Sequence, residues 1–592
     1  MKDNMKSCGH TLSDDVVYKE VVVIGNGPSG MVTSFMLAGN VPYLKDIPDD
    51  LPIDEMLRAR LSNIPRGQSL YETDLMELAE GLEGRSQNPI PLLMDNLLRP
   101  CADLGIQADS LIEWKYDVEK QIDHIVLGRG PPGGAWHTFP PRVRTLSPAA
   151  WLWLPPHAPR GSARLTARAV ATYCRRYVRA CKLQQFFRSG VTVTSVTRIP
   201  QGGAARARCH NTRCPLEAAY CVTGYDNASG ALVRYLCARV VVCSGASDRA
   251  STLAGHVARH ALHSLATLER AAHVLGEYER SSPCVVVGSG VSAADGVRLL
   301  RARGLHAHHL HRTPADGLAR LAPAAYPDYC QVYKMMCDGP SGNHENYTPY
   351  PEHMIIEVTP VADDTSNINA DDLEELALGL KRVKLLNLNT KEVTELETRL
   401  IGVFIGSKPD LSFLQTNFLD CIDIKMDCTK CNEESKVKRK IEEKQSFLKN
   451  HWHYIKSMLG QSIQSCKSRY LNYSEINGNT DTKCEVPDCN KLRKNGMIDK
   501  CQIIPYSDEK EETVQCSCDS MNPYVSGLGF GIDPKKAVDG RNNPIAIDKS
   551  SHEVLNAPAG LYALGPLTAD NFVRFIPGGA LALVAHMHQN KH

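Results

Sequence analysis

Short apolar runs that end in glycine-rich turns are the most regular feature of the chain. Val21–Ile24 is followed by such a turn and then by the apolar segment Met31–Leu37. The same order recurs at Cys284–Val287, a second glycine-rich turn and a helical pattern that continues through Leu300. Apolar β-branched runs of this length predict buried strands, and a 3.6-residue apolar period predicts helices. The repeated order predicts an α/β fold with two nested Rossmann-like domains.

The same patterns predict the other elements of both domains. Helical spacing is present at Glu72–Leu82 and Pro91–Leu98, and a basic amphipathic helix precedes residue 182. Further short apolar runs predict strands at Ile122–Leu127, Val191–Val196, Ala238–Cys243, Leu305–His311, Arg399–Ile405 and Gly560–Leu564.

The first turn, within VVVIGNGPSG, has Gly25, Gly27 and Gly30 in G-x-G-x-x-G spacing, with Pro28 and Ser29 between them. Gly25 allows a tight turn, Gly27 allows backbone N–H groups to approach a pyrophosphate, and Gly30 allows close packing of the helix on the sheet. The alternative is a purely structural turn. The preceding strand and the following helix favour dinucleotide binding.

The second turn, within VVVGSGVSAAD, has Gly288 and Gly290, with Ser292 and then Ala293 in the third glycine position. Arg312 follows the next predicted strand, where a guanidinium could bind a ribose 2′-phosphate. A solvent-facing arginine at a strand end is the alternative. Two such turns in one chain indicate a flavin at the first and a nicotinamide at the second, so we expect FAD and NADPH as cofactors.

Composition narrows the functional class. The 592 residues include 67 Lys+Arg and 66 Asp+Glu, and 43% are apolar. The near-zero net charge gives no indication of nucleic-acid binding. No apolar run approaches about 18 residues, so we expect no membrane span. The N-terminus has no secretory signal pattern, and the 21 cysteines are therefore expected to be reduced thiols in a cytoplasmic protein.

Shifts in composition suggest five segments. We expect a flexible N-terminus at 1–19 and a first part of the FAD-binding domain at 20–250, with a helical insertion at 42–120. The NADPH-binding domain is expected at 251–420, and the C-terminal part of the FAD-binding domain at 521–592. Residues 421–520 are rich in Lys, Asn, Cys and Glu, which predicts a largely disordered insertion with one helix near Phe447–Leu459.

The glycine turns GNGPSG and GSGVSAAD, together with the segment GGAWH, resemble those of class B flavoprotein monooxygenases. The segments LLMDNLLRP, IVLGRGPPGGAWH, YPDYCQVYKMM and NFVRFIPGGAL resemble, more narrowly, the oxidative stress-induced growth inhibitor family. The resemblance implies further flavin-binding positions, which are Gly133, Gly134, Trp136, His137, Gly245, Gly565, Pro566, Gly578 and Gly579.

The resemblance also implies an activity. It indicates an FAD- and NADPH-dependent monooxygenase, in which O2 adds to flavin C4a and an oxygen atom passes to a small or protein-borne substrate. The family is associated with control of cell proliferation, differentiation and cytokinesis, including a midbody location and possible protein partners. The sequence does not identify the substrate.

Three departures from the monooxygenase pattern favour an alternative. Gly128 stands where a ribose-binding carboxylate is usual, and Leu146-Ser147 stands where an asparagine near the flavin is common. The linker fingerprint is only approximated at residues 253–264. Arg574 and Ser147 are the catalytic candidates, with a structural ion pair as the other interpretation of Arg574. The alternative function is a catalytically impaired nucleotide-binding scaffold that acts through protein partners.

We expect no metal site. The cysteine pairs of 421–520 are too widely separated in sequence for a compact zinc site. His306, His308, His309 and His311 alternate along a predicted strand, which places them on two opposite faces.

Overall fold

A computed structural model describes residues 16–161, 163–199, 207–208, 217–253, 255–278, 283–312, 316–361, 379–414 and 527–590. The predicted insertion at 421–520 and most of the N-terminal segment 1–19 lie outside these residues.

The strands in the described ranges, numbered in chain order, are β1 Val17–Ile24, β2 Asn40–Leu44, β3 Ile112–Tyr116, β4 His124–Gly128, β5 Arg144–Pro148, β6 Arg164–Thr166, β7 Phe187–Ser189, β8 Val191–Arg198, β9 Ala207–Arg208, β10 Glu217–Ala218, β11 Tyr220–Asp226, β12 Leu232–Val242, β13 Arg249–Ala250, β14 Pro283–Val287, β15 His306–His311, β16 Tyr347–Pro351, β17 His353–Pro360, β18 Lys381–Asn387, β19 Val393–Thr398, β20 Leu400–Val403, β21 Ser407–Lys408 and β22 Leu561–Ala563.

The α-helices in the same ranges are α1 Pro28–Leu37, α2 Glu55–Ser62, α3 Leu75–Leu78, α4 Pro89–Leu98, α5 Ala167–Ala180, α6 Gly255–Ala258, α7 Leu265–Tyr278, α8 Val291–Arg301, α9 Asp316–Ala319, α10 Pro327–Asp338 and α11 Ile576–Gln589.

The first sheet has a parallel core in the order β7-β4-β1-β12-β22. The first half of β12 continues into an antiparallel pairing with β11, which pairs with β8. Val21 and Val23 of β1 pack into one buried cluster, and Val22 and Ile24 pack into another on the opposite face. Burial on both faces explains the unbroken apolar run of this strand.

The second sheet is wholly parallel, in the order β16-β15-β14-β20. In both sheets the glycine turn follows the strand at the point where the order of connection reverses, which is where doubly wound folds bind ligands. The predicted pair of Rossmann-like domains is confirmed. An antiparallel sheet of β17, β18 and β19 lies in the chain between β16 and β20, and the sequence patterns did not predict it.

The helices of the predicted 42–120 insertion are placed differently from the sequence prediction, which did not include α2. Pro91–Leu98 is helical within α4, but Glu72–Leu82 is reduced to a 3-10 turn and the single helical turn α3. The Asp74 side chain accepts hydrogen bonds from the backbone of Met76 and Glu77, which starts a new turn there. Gly81 has a φ of +75°, so the chain leaves the helical region by that residue.

Helix α11 packs against α1 and α4, and so joins the C-terminal segment to the first domain. Within the described ranges, no helix is both long and apolar enough to cross a bilayer.

Candidate dinucleotide sites

The first turn is held by a close backbone approach. An ideal Cβ on Gly25, whose φ is +109°, would lie 2.3 Å from the carbonyl oxygen of Cys243, just after β12. A Cβ on Gly30 would lie 2.0 Å from the carbonyl oxygen of Gly25. Gly27 precedes the first residue of α1 and would meet nothing within 4 Å. The helix N-terminus therefore opens onto free space in front of Gly27, as an anion site requires.

The loop after β4 forms one wall of this space. The Gly133 N–H donates to the carbonyl oxygen of Asn26 (2.9 Å), and a Cβ on Gly134 would lie 3.2 Å from the Gly27 Cα. His137 and Trp136 follow in the same turn, where the His137 ring lies 2.9 Å from the Pro132 oxygen and Trp136 is half-buried. Gly133 and Gly134 are thus brought directly beside the glycine turn.

The ends of β12 and β22 supply another wall. Gly245 has a φ of +85° with open space around its Cα, and the neighbouring Ser244 hydroxyl is buried with no hydrogen-bond partner among the described residues. A Cβ on Gly565 would lie 2.4 Å from the Ser29 Oγ, so β22 ends against the first turn of α1. Pro566 follows in the 3-10 turn Gly565–Thr568. An orphaned buried hydroxyl beside an open cradle fits a bound polar ligand.

The second turn repeats the geometry of the first. A Cβ on Gly288, with a φ of +132°, would lie 2.3 Å from the Phe404 carbonyl oxygen, just after β20. Gly290 precedes α8 and would meet nothing within 4 Å. Ala293 is buried and its Cβ would lie 3.2 Å from that of a substituted Gly288, whereas Ser292 is exposed. Ala293 therefore lies between helix and sheet at the position that Gly30 has in the first domain.

Arg312 and His309 lie at the end of β15 beside the second turn. The Gly288 N–H donates to the Leu310 oxygen (2.9 Å), and Arg312 is exposed two residues further on. Burial, reinforced by the nearby His311, lowers the pKa of His309 to about 3, so its ring is neutral. Its Nε2–H then donates to the Gly288 oxygen at 2.7 Å. This support of the turn was not foreseen from the sequence.

Position 128, where a ribose-binding carboxylate is usual, is a glycine whose side-chain space is filled by Asn26. A Cβ on Gly128 would lie 2.2 Å from the Asn26 Nδ2 atom, which donates to the Gly130 carbonyl oxygen (2.6 Å). Asn26 is only 4% exposed. Asp46, Asp49 and Asp50 are exposed in an irregular segment after β2. A carboxylate side chain at position 128 would therefore collide with Asn26 where it lies in this structure.

Arg574 lies in a buried ion-pair network. Its Nε donates to Asp95 Oδ2 (2.8 Å), its Nη1 donates to Asp103 Oδ1 (2.9 Å), and its guanidinium stacks 4.7 Å from the Trp151 ring centroid. Arg99 also pairs with Asp95, at 3.1 Å. Arg574 is thus paired with two carboxylates, an arrangement that a structural ion pair would have.

The other C-terminal glycines and the second catalytic candidate lie in different surroundings. A Cβ on Gly578 would lie 2.3 Å from the Pro91 Cα, and one on Gly579 would lie 2.9 Å from the His552 ring, so both allow close packing of α11. Ser147 is half-buried in β5, and its carbonyl oxygen accepts a hydrogen bond from Thr145 Oγ1 (2.6 Å). No described group of three or more His, Cys, Asp or Glu side chains is arranged to hold a metal ion.

Comparison with known proteins gives relatives over nearly the whole chain. The chain is 29% identical over 590 residues to oxidative stress-induced growth inhibitor 1 of Homo sapiens, covering 96% of this chain and 94% of that protein. It is 31% identical over 438 residues to oxidative stress-induced growth inhibitor 2 of Homo sapiens, covering 68% and 82%. No protein-family model matches the chain.

Among solved structures, the bacillithiol disulfide reductase Bdr of Staphylococcus aureus matches this chain. The TM-score is 0.46 at 11% identity, over 97% of this chain and 99% of that chain.

Proposed function

The chain belongs to the oxidative stress-induced growth inhibitor family, and on that premise we propose that it is an FAD- and NADPH-dependent flavoprotein oxidoreductase that acts as a monooxygenase. The observation that carries the proposal is the repeated cradle. Gly25 and Gly288 each approach a strand-end carbonyl oxygen so closely that no side chain fits, and Gly27 and Gly290 each leave a helix N-terminus open.

The residues present fit the two dinucleotides. Gly27, Gly134 and Gly245 would surround the FAD pyrophosphate with backbone, and the orphaned Ser244 hydroxyl would gain a partner there. Gly290 would hold the NADPH pyrophosphate, with the Arg312 guanidinium available for the 2′-phosphate. When bound, FAD would accept a hydride from NADPH and then react with O2. The protein's task is to orient the two dinucleotides and to exclude water from the site.

A second candidate function is the nucleotide-binding scaffold that acts through protein partners. Two observations favour it. Asn26 fills the usual ribose-carboxylate place beside Gly128, and Arg574 is paired with Asp95 and Asp103 and is not left free for a flavin. The proposed roles in proliferation, differentiation and cytokinesis, and a midbody location, rest on the family resemblance and fit either candidate.

The deciding experiment measures the flavin directly. The purified full chain should show an oxidised-flavin spectrum that NADPH bleaches without oxygen and that air restores, with oxygen uptake dependent on a substrate. Gly290→Trp is the matched control, because its side chain would fill the second cradle only. That variant should retain FAD and be bleached by dithionite but not by NADPH.

The other results separate the candidates. A wild-type flavoprotein that NADPH never bleaches would support the scaffold. Protein that takes up no FAD would contradict the cofactor assignment and both candidates. Equal bleaching of wild type and Gly290→Trp by NADPH would refute the second cradle as the nicotinamide site.

A further inference from the structure

A chain of charged contacts joins the β5–β6 hairpin of the first domain to the second domain. Arg164 of β6 donates from Nη1 to Asp328 Oδ1 (2.9 Å) in the first turn of α10. Its Nε donates to the Thr145 carbonyl oxygen of β5 (2.7 Å). The guanidinium therefore binds the two domains at once. The Arg164 side chain is 10% exposed and that of Asp328 is 15% exposed, so solvent screening is small.

The contact continues into helix α8. Arg298 Nη1 lies 3.3 Å from Asp328 Oδ2, and it donates to Asp295 Oδ1 (3.0 Å). The Tyr329 hydroxyl donates to Asp295 Oδ2 (3.1 Å). Because α8 begins directly after Gly290, these residues connect the hairpin with the helix that opens onto the second cradle.

A second, independent contact crosses at the same place. The Tyr326 hydroxyl, just before α10, donates to the Leu146 carbonyl oxygen of β5 (2.7 Å). Arg164 stacks on the rings of Tyr326 and Tyr329, at 4.8 and 5.0 Å from their centroids. A guanidinium that pairs and stacks in a partly buried site is orientationally restricted, which a lysine ammonium at this position would not be.

Charge is balanced within this cluster. Burial would raise the pKa of Asp328, but the hydrogen bond from Arg164 and the charge of Arg298 outweigh it and leave the pKa lowered. Asp328 is therefore ionised at neutral pH, and removal of Arg164 would leave it near Arg298 alone.

We propose that Arg164 is a positioning residue, which fixes the nicotinamide-binding domain against the flavin-binding domain through Asp328 so that hydride transfer can occur. This rests on the proposed function. Neither Arg164 nor Asp328 is placed in a cradle, so nucleotide binding should not depend on them. What depends on them is the geometry between the two bound dinucleotides, to which transfer rates are steeply sensitive.

The test compares Arg164→Ala with Arg303→Ala in the full chain. Arg303 pairs with Glu269 (3.3 Å) inside the second domain, so its loss removes a partly exposed ion pair that does not cross between domains. Arg164→Ala should keep wild-type FAD content, an NADPH dissociation constant within about twofold of wild type, and the wild-type rate of reduction by dithionite. Its anaerobic reduction by NADPH should slow at least about tenfold. Arg303→Ala should change none of these.

Hydrogen exchange supplies a readout that does not need turnover. In Arg164→Ala, amide exchange should accelerate in both 143–148 and 325–330, which lie in different domains. Arg164→Lys should recover only part of the wild-type protection from exchange in these two segments. Acceleration in the hairpin alone, or unchanged NADPH-driven reduction, would overturn the positioning role. If NADPH fails to reduce even the wild type, the proposed function fails, whereas the exchange result still decides whether Arg164 couples the domains.

Discussion

The amide of Asn26 occupies the space into which a side chain at Gly128 would project. The two positions are 102 residues apart in sequence, yet a Cβ on Gly128 would lie 2.1 Å from the Asn26 Cγ atom. Asn26 cannot simply move aside, because it is buried and bonded to the Gly130 carbonyl oxygen. The absence of a ribose carboxylate is therefore part of the local packing and is not an isolated change.

Removing the Asn26 side chain should make room for a carboxylate at position 128, and the two changes together should tighten FAD binding. The double substitution Asn26→Gly with Gly128→Glu should tighten FAD binding about tenfold, since a charged hydrogen bond to the ribose contributes about 1.5–3 kcal/mol. Gly128→Glu alone should weaken binding, because the carboxylate collides with Asn26. Flavin fluorescence titration of the apoprotein measures both. If the single variant binds FAD as well as the double variant, the ribose does not lie at position 128.

Gly27→Trp should abolish FAD retention without unfolding the protein. The position faces open space, so the indole would fill the proposed pyrophosphate channel and leave the core intact. Gly255→Trp, at an exposed position that also meets nothing within 4 Å, is the control and should keep its flavin. Flavin-to-protein absorbance ratios and the thermal midpoint are the measurements. Full occupancy in Gly27→Trp would remove the first turn from the FAD site.

Arg312→Ala should shift nicotinamide preference. Loss of a guanidinium from a 2′-phosphate removes about 1.5–3 kcal/mol, so NADPH should bind about 10- to 100-fold more weakly while NADH binding hardly changes. Arg320→Ala, at another exposed arginine of the same domain, should leave both constants unchanged. Equal losses for NADPH and NADH would mean that Arg312 does not contact the 2′-phosphate.

Arg574→Gln should act on stability. Removing the guanidinium leaves Asp95, at 5% side-chain exposure, with Arg99 as its remaining ion-pair partner, and we expect a loss of about 3 kcal/mol in the free energy of unfolding. Arg382→Gln breaks an exposed pair with Glu397 and should cost less than about 1 kcal/mol. Urea denaturation compares the two. A stable Arg574→Gln protein with an altered flavin potential would instead assign the residue to the flavin.

The sequence predicts the parts of this fold that depend on neighbours in the chain. Both glycine turns, the strands that precede them and the α4 helix follow from local patterns. The contacts between distant segments do not. The motif of Gly578 predicts a flavin contact, and no local pattern predicts that a Cβ on this residue would lie 2.3 Å from the Pro91 Cα, nearly 500 residues earlier in the chain. Arg164 and Asp328 carry no local signal, because only the folded domains bring them together.

Asp570 gives a pH-dependent prediction. It is 1% exposed and accepts hydrogen bonds from Ser86 Oγ (2.5 Å) and Asn88 Nδ2 (2.9 Å), which tie the loop after β22 to the start of α4. Burial raises its pKa to about 7, against the opposing effect of these two donors. Between the unfolded pKa of about 4 and the folded pKa, the folded state retains a proton that the unfolded state has lost. The contribution of Asp570 to the free energy of unfolding is therefore greatest below about pH 4 and is lost as pH rises towards 7.

Asp570→Asn should remove this loss, because the amide is isosteric and carries no charge. Relative to wild type, the variant should gain stability between about pH 4 and pH 7, by on the order of 2–4 kcal/mol at pH 8, with little difference at pH 4. Urea denaturation of the apoproteins across this range is the measurement. Asp533→Asn, at an exposed carboxylate whose pKa is lowered by its hydrogen bond with Lys536, should show no such gain with rising pH. A pH-independent difference for Asp570→Asn would mean that the carboxyl is already ionised at pH 4 in the folded protein.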